Sequence, residues 1–207
     1  MAEPALKIDP ASSVLLLIDF QNEIVSRGGK MAPSDEDAFA RFDSAIAGAA
    51  DALKAAREVG MMVIHVVHTG TDESAAHLDP DARLVKFVME SGALRDKWGC
   101  AIHPSLTPLD GETVMAKHGI SAFAGTGLDD MLRARNIDTV VICGIVTHWA
   151  VEGTARYAFD HGYRAKVLKD ASASGAIDSH TAALERIGFI GTVLDGAAFK
   201  GAITSTS

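Results

Sequence analysis

Along the chain, short runs of consecutive apolar residues alternate with longer stretches in which apolar positions recur every three or four residues. The runs are Val14 to Ile18, Met62 to Val67, Glu112 to Ala116, Thr139 to Cys143, Ala165 to Leu168 and Thr192 to Leu194. Each is nearly continuous in apolar character, as strands buried on both faces require. Asp35 to Val59 sets Phe39, Phe42, Ile46, Ala49, Leu53 and Ala56 on one stripe and meets a stop signal at Gly60, which predicts an amphipathic helix. Weaker periodicity predicts helices over Asp81 to Glu90, Leu128 to Arg135, Trp149 to His161 and Ser179 to Ile187, each closed by a nearby Gly or Asn. Strand and helix in alternation predict an α/β fold with a six-stranded, mostly parallel sheet covered by helices. Ser91 to Gly111 has prolines, Gly92 and Gly99 but no periodicity, and reads as a surface excursion near the site.

Composition narrows the class. With 207 residues, 48% of them apolar, the chain can bury one substantial core, so one domain over 1–207 is expected, with flexible ends at 1–10 and 201–207. A formal net charge of -8 repels a phosphate backbone, which argues against nucleic acid as a partner. No apolar run approaches the roughly 20 residues of a spanning helix, and the first ten residues lack the basic start and apolar stretch of a secretory signal. Cys100 and Cys143 stand far apart without a second pair, so neither a disulfide framework nor a cysteine zinc site is expected, and a reducing, cytoplasmic location fits.

In an open parallel sheet, ligands bind beyond the carboxyl ends of the strands, so polar residues directly after the apolar runs are the candidates. Asp19 follows Val-Leu-Leu-Leu-Ile; partial burial would raise its pKa toward acid/base use, and a turn or helix cap is the plainer alternative. Gln21 and Asn22 follow it, and His68 with Thr69 closes the second run. Lys117 closes the third run and could pair with Asp19 or orient a substrate carbonyl, or simply end a strand at the surface. Gly144-Ile-Val-Thr-His-Trp-Ala-Val joins a strand to a helix. Its backbone amides could cradle an oxyanion, or it could be an ordinary turn capped by Thr147.

Taken in order, Leu-Leu-Leu-Ile-Asp19-Phe-Gln21-Asn22, Lys117-His-Gly-Ile-Ser121-Ala-Phe123, Gly125-Thr-Gly-Leu-Asp-Asp-Met-Leu-Arg, Gly144-Ile-Val-Thr147, Glu152-Gly-Thr154-Ala-Arg156-Tyr-Ala-Phe-Asp-His-Gly162-Tyr163 and Lys169-Asp170-Ala-Ser-Ala-Ser resemble the isochorismatase-like hydrolase family. The likeness runs from about Pro10 to Asp195. It implies a three-layer α/β/α fold, a small-molecule substrate, a homo-oligomer (dimer or tetramer), and an Asp–Lys–Cys set in the members that hydrolyse amides. Asp19 and Lys117 match the first two. The third falls three residues after Thr147, on Ala150, whose methyl group cannot form a thioester. Three explanations stay open: a thiol-independent hydrolase in which Asp19 supplies a proton, as in relatives that cleave an enol ether; a Cys-to-Ala variant of a small-amide amidohydrolase; or a binding module without catalysis.

The resemblance also implies a cis peptide before Val146 and oxyanion donors at the amides of Val146 and Ala150. Trp98, Phe123, His148 and Trp149 are candidate pocket walls, with Gln21 as a further substrate contact. Core packing is the alternative for Phe123, and a subunit interface for Trp149. Nicotinamidase-type relatives bind a metal through Asp-x-His. The corresponding stretch here reads His65-Val-Val-His68-Thr-Gly-Thr-Asp72, without that motif. His68, Asp72, His77 and His103 have no ligand spacing, so neither a metal nor a cofactor is expected. Cys143 reads as a small buried hydrophobe.

Overall fold

The computed structural model describes residues 6–69 and 78–203. Six strands, β1 (Ser13–Ile18), β2 (Met62–His68), β3 (Thr113–Lys117), β4 (Thr139–Ile145), β5 (Arg164–Ala173) and β6 (Thr192–Leu194), form one sheet in the order β3-β2-β1-β4-β5-β6. Every paired neighbour runs parallel. All six apolar runs are strands. The one large boundary difference is β5, which continues past Leu168 through Lys169 and Asp170, because a register shift between Ile142 and Gly144 lets Ser172 and Ala173 pair with Gly144 and Ile145.

Both faces of β1 are covered, and its side chains alternate between them as strand geometry dictates. Leu15 and Leu17 enter one apolar cluster, while Val14, Leu16 and Ile18 enter the other. The first cluster is closed by α2 (Glu36–Glu58), through Phe42, Ile46, Ala49 and Leu53, and by α8 (Gly196–Ala202), through Phe199. The second is closed by α5 (Leu128–Ala134), α6 (Glu152–Asp160) and α7 (Ile177–Ile187). Three layers result. Helix α2 matches its sequence reading at both ends: the Asp35 carboxylate accepts from the Ala38 amide at 2.8 Å, and Gly60 turns the chain at φ 69°, the left-handed region where glycine is favoured.

Three short helices are not predicted by the sequence pattern: α1 (Asn22–Val25), α4 (Lys97–Cys100) and the terminal α8. The four residues of α1 and of α4 leave too few positions for any periodicity to register. The excursion from Ser91 to Gly111 is more ordered than its composition suggests. Following α3 (Arg83–Ser91), it holds α4 (Lys97–Cys100) and a 3₁₀ turn at Pro104–Leu106, and it buries Ala93, Leu94 and Leu106. The helix expected from Trp149 begins instead with a π-helical turn over Thr147–Val151, and α6 follows at Glu152.

Strand order determines where a ligand can lie. From β1 the chain steps outward to β2 and β3, then returns to place β4 on the other side of β1. The connections therefore leave β1 and β4 in opposite directions, opening a crevice beyond their carboxyl ends.

Candidate active site

Asp19 stands at that crevice. Its amide donates to the Val66 carbonyl at 2.9 Å, and its φ of 59° is left-handed. That conformation is uncommon outside glycine, although Asp tolerates it better than most. The side chain is buried, and its Oδ2 lies 2.9 Å from the Lys117 Nζ. Among the described residues, Oδ1 has no hydrogen-bond partner. Burial pushes the Asp19 carboxyl above its ordinary value, and the Lys117 charge and hydrogen bond pull against that rise. One oxygen is thus anchored while the other is free for proton transfer.

Lys117 ends β3 with its ammonium fully engaged, donating to the Gly119 and Ile120 carbonyls at 2.9 and 3.2 Å as well as to Asp19. Three donors meet three acceptors. This geometry supports the pairing role and leaves no spare N–H for a substrate carbonyl, the other role considered from sequence. His68 is in register with Lys117 across β2 and β3, so the two side chains leave the same face of the sheet. Burial, together with the charges of Lys117 and His118, lowers the His68 imidazole to about 4, so it is neutral at pH 7.

Gln21, expected as a substrate contact, is engaged within the protein. Its Nε2 donates to the carbonyls of His68 and Cys100 at 3.0 and 3.2 Å, and its Oε1 accepts from the His68 amide at 2.7 Å. Both Nε2 protons and one Oε1 lone pair are engaged, so Gln21 braces its neighbours. Asn22 does likewise, donating to the Trp98 carbonyl at 3.0 Å. A bridge between Gln21 and Ile102, and the His103 amide on the Phe20 carbonyl at 2.8 Å, complete the seam. Together they tie the Trp98 loop to the Phe20–Asn22 segment that follows Asp19, with the Trp98 side chain half-exposed.

Phe123 is a packing residue. Its ring is buried and stacks on Tyr157 and Tyr163 with centroids 4.4 and 5.9 Å away, so the core alternative from sequence is the one its contacts favour.

The turn after β4 carries a cis Ile145–Val146 peptide. Ala150 is buried within it, and Trp149 is half-exposed with the His148 ring 5.2 Å away. Thr147 does not cap the helix. Its hydroxyl lies 2.8 Å from the His180 Nδ1, and the His148 Nδ1 lies 2.8 Å from the Ser174 hydroxyl. The Gly144 amide donates to the Ser172 hydroxyl at 3.3 Å. Ser172, Ser174 and His180 therefore buttress the turn. Sequence reasoning gave them no role; the only available signal was a run of small hydroxyl residues after the fifth apolar run.

Neither cysteine replaces the residue at 150. Cys143 is fully buried with its thiol pushed up by desolvation, and it donates to the Leu16 carbonyl at 3.6 Å. The Cys100 thiol, raised by burial and by Asp96 and Glu23, donates to the Leu94 carbonyl at 3.0 Å. Reactive thiols need the opposite environment. Of the four residues considered for a metal, Asp72 and His77 lie outside the described residues. His103 accepts from the Ser105 amide through Nδ1 at 3.3 Å. Among the described residues, no group of three or more His, Cys, Asp or Glu side chains is placed to hold a metal ion.

A parallel α/β sheet with a buried carboxylate–ammonium pair beside a strand-to-helix turn describes a hydrolase built at a strand-order switch. The chain belongs to the isochorismatase family: the family model of the Isochorismatase domain matches residues 13–198. It is 34% identical to a ureidoacrylate amidohydrolase, RutB, of Methylobacterium radiotolerans, over 96% of this chain and 82% of that protein. Its fold is similar to that of a cysteine hydrolase from Pseudomonas syringae pv. phaseolicola, with TM-score 0.83 at 24% identity over 98% of both chains. An N-carbamoylsarcosine amidase from Thermoplasma acidophilum superposes with TM-score 0.72 at 26% identity, over 89% of this chain and 96% of that one.

Proposed function

We propose that the chain hydrolyses a C–N bond of a small carbamoyl compound, with water as the nucleophile and Asp19 as the group that moves the proton. The observation that carries this reading is the buried Asp19–Lys117 pair, 2.9 Å apart, with Asp19 Oδ1 unpartnered. Oδ1 takes a proton from water as the water oxygen bonds to the substrate carbon, and it delivers that proton to the departing nitrogen as the C–N bond breaks. Charge gathering on the carbonyl oxygen is met by the backbone amides of Val146 and Ala150. The substrate class comes from the relatives, one named for ureidoacrylate and another for N-carbamoylsarcosine. Trp98 and Trp149, both half-exposed, are the flat walls such a molecule would meet.

A second reading has its own support. Ala150 is buried within the π-helical turn, at the position where the family resemblance places a cysteine, so the same turn would suit a thiol acting as the nucleophile.

The test is a turnover screen of carbamoyl compounds and an enol ether with the chain as written, with Ala150→Cys and with Asp19→Asn. Carbamoyl turnover without the thiol, lost in Asp19→Asn, is the expected result. Turnover that appears only in Ala150→Cys establishes the thiol route. Cleavage of the enol ether alone makes Asp19 a proton donor to carbon and overturns the carbamoyl assignment. Binding without turnover in any variant overturns catalysis altogether.

A further inference from the structure

Behind the β4 turn lies a pocket of about 340 Å³, formed where α2, the end of β5 and the start of α7 meet. Its polar lining includes Arg41, Lys169, Ser172, Ser174 and His180. Arg41 is anchored by neutral groups alone, donating to the carbonyls of Ser174 and Gly175. Among the described residues, no carboxylate pairs with it. A guanidinium has five donors, so two carbonyls leave both its charge and several N–H groups uncommitted. Asp170, the acidic residue in the lining, directs both carboxylate oxygens at the Gly196 amide, at 3.0 and 2.9 Å. Lys169 lies 3.5 Å from Asp195 and is half-exposed.

Ser172 and His180 share this lining. Ser172 Oγ accepts from the Gly144 amide, which leaves its O–H to donate. The His180 Nδ1 and the Thr147 hydroxyl lie 2.8 Å apart, so His180 belongs both to this lining and to the turn. Three side chains of this lining are the ones that buttress Gly144, Thr147 and His148.

We propose that this pocket binds a small oxyanion, a carboxylate or a phosphate, and that its occupancy is coupled to the β4 turn through Ser172, Ser174 and His180. A net charge of -8 on the chain disfavours scattered anion binding, so an anion that does bind reports a built site. By linkage, a ligand that favours one arrangement of the buttress favours the same arrangement of Val146 to Ala150.

The test needs no turnover and does not depend on the reaction assigned above. The full chain is titrated at constant ionic strength with inorganic phosphate and, separately, with acetate. Amide and imidazole NMR shifts of Thr147, His148, Ser174 and His180 are followed. Saturable shifts at these four positions are expected. Arg41→Gln should weaken binding by about tenfold or more, the loss expected for charge-assisted hydrogen bonds. Lys169→Gln, a half-exposed position where folding is safe, should weaken it about threefold as a lost surface charge. Response to phosphate alone assigns a dianion site, and response to both assigns a general oxyanion site. Shifts that persist in Arg41→Gln, vanish in Lys117→Gln or never saturate would overturn the proposal.

Discussion

A buried carboxyl can be neutralised or paired; burial raises Asp19, and the Lys117 ammonium beside it pulls the other way. Asp19→Asn keeps the shape and removes the proton-transfer group. Activity on a carbamoyl substrate should fall by about 10²- to 10⁴-fold with the fold intact by circular dichroism; full retention of rate would remove Asp19 from the mechanism. At Gln21 the expectation is structural. Gln21→Ala strips three hydrogen bonds from a buried amide and should cost about 2–3 kcal/mol in chemical denaturation. It should also speed hydrogen exchange at Trp98 to Cys100. A variant as stable as the parent would show that the seam contributes nothing. Asp19 was legible from sequence because a carboxylate directly after five apolar residues has nowhere to go but the strand end. The role of Gln21 was not, since its three partners lie 47 and 79 residues away.

Elements are tied together by a few charged groups and close approaches. Glu112, just ahead of β3, accepts two hydrogen bonds from Arg57 in the last turn of α2, both at 2.8 Å, and approaches the His65 Nε2 at 3.1 Å. Arg57 above all holds its carboxyl down to about 2, against an ordinary 4.5. Because the folded value lies below the unfolded one, this contribution is complete above pH 4.5 and is lost as pH falls toward 2. The shift corresponds to about 3 kcal/mol at most. Glu112→Gln should remove most of it at pH 7 and flatten the acid limb of a stability–pH curve; parallel curves for variant and parent would refute the assignment. Helix α2 also lies so close to β5 that a Cβ on Gly48 would sit 2.4 Å from the Asp170 carbonyl oxygen. Gly48→Ala, despite its better helix propensity, should destabilise by about 1–3 kcal/mol from overpacking, read as a lowered denaturation midpoint. Periodicity predicted where α2 starts and stops, but a backbone contact between residues 48 and 170 lies outside any local pattern.

For the molecule as a whole, the family resemblance implies association. The half-exposed Phe159, Ile177 and Trp149, and Phe189 at 91% exposure, are apolar groups that an interface would cover. We expect a dimer or tetramer in sedimentation velocity at micromolar concentration; a monomer there would count against assembly. Among the described residues, no helix is long and apolar enough to cross a membrane.

The chain's own pattern determined the layers and the strand ends. Apolar runs that cannot meet water must become buried strands, and a polar residue at the end of each must emerge at an edge. Asp19, Lys117 and the Gly144 to Ala150 turn were readable for that reason, as was the alanine at position 150. Tertiary structure alone decided which strands are neighbours. It placed Lys117 against Asp19 across an intervening strand, put Phe123 in the core and turned Gln21 into a brace. It also set Ser172, Ser174 and His180 behind the turn. These outcomes depend on contacts between residues tens of positions apart, which no local period encodes, and they follow once the sheet closes in the order β3-β2-β1-β4-β5-β6.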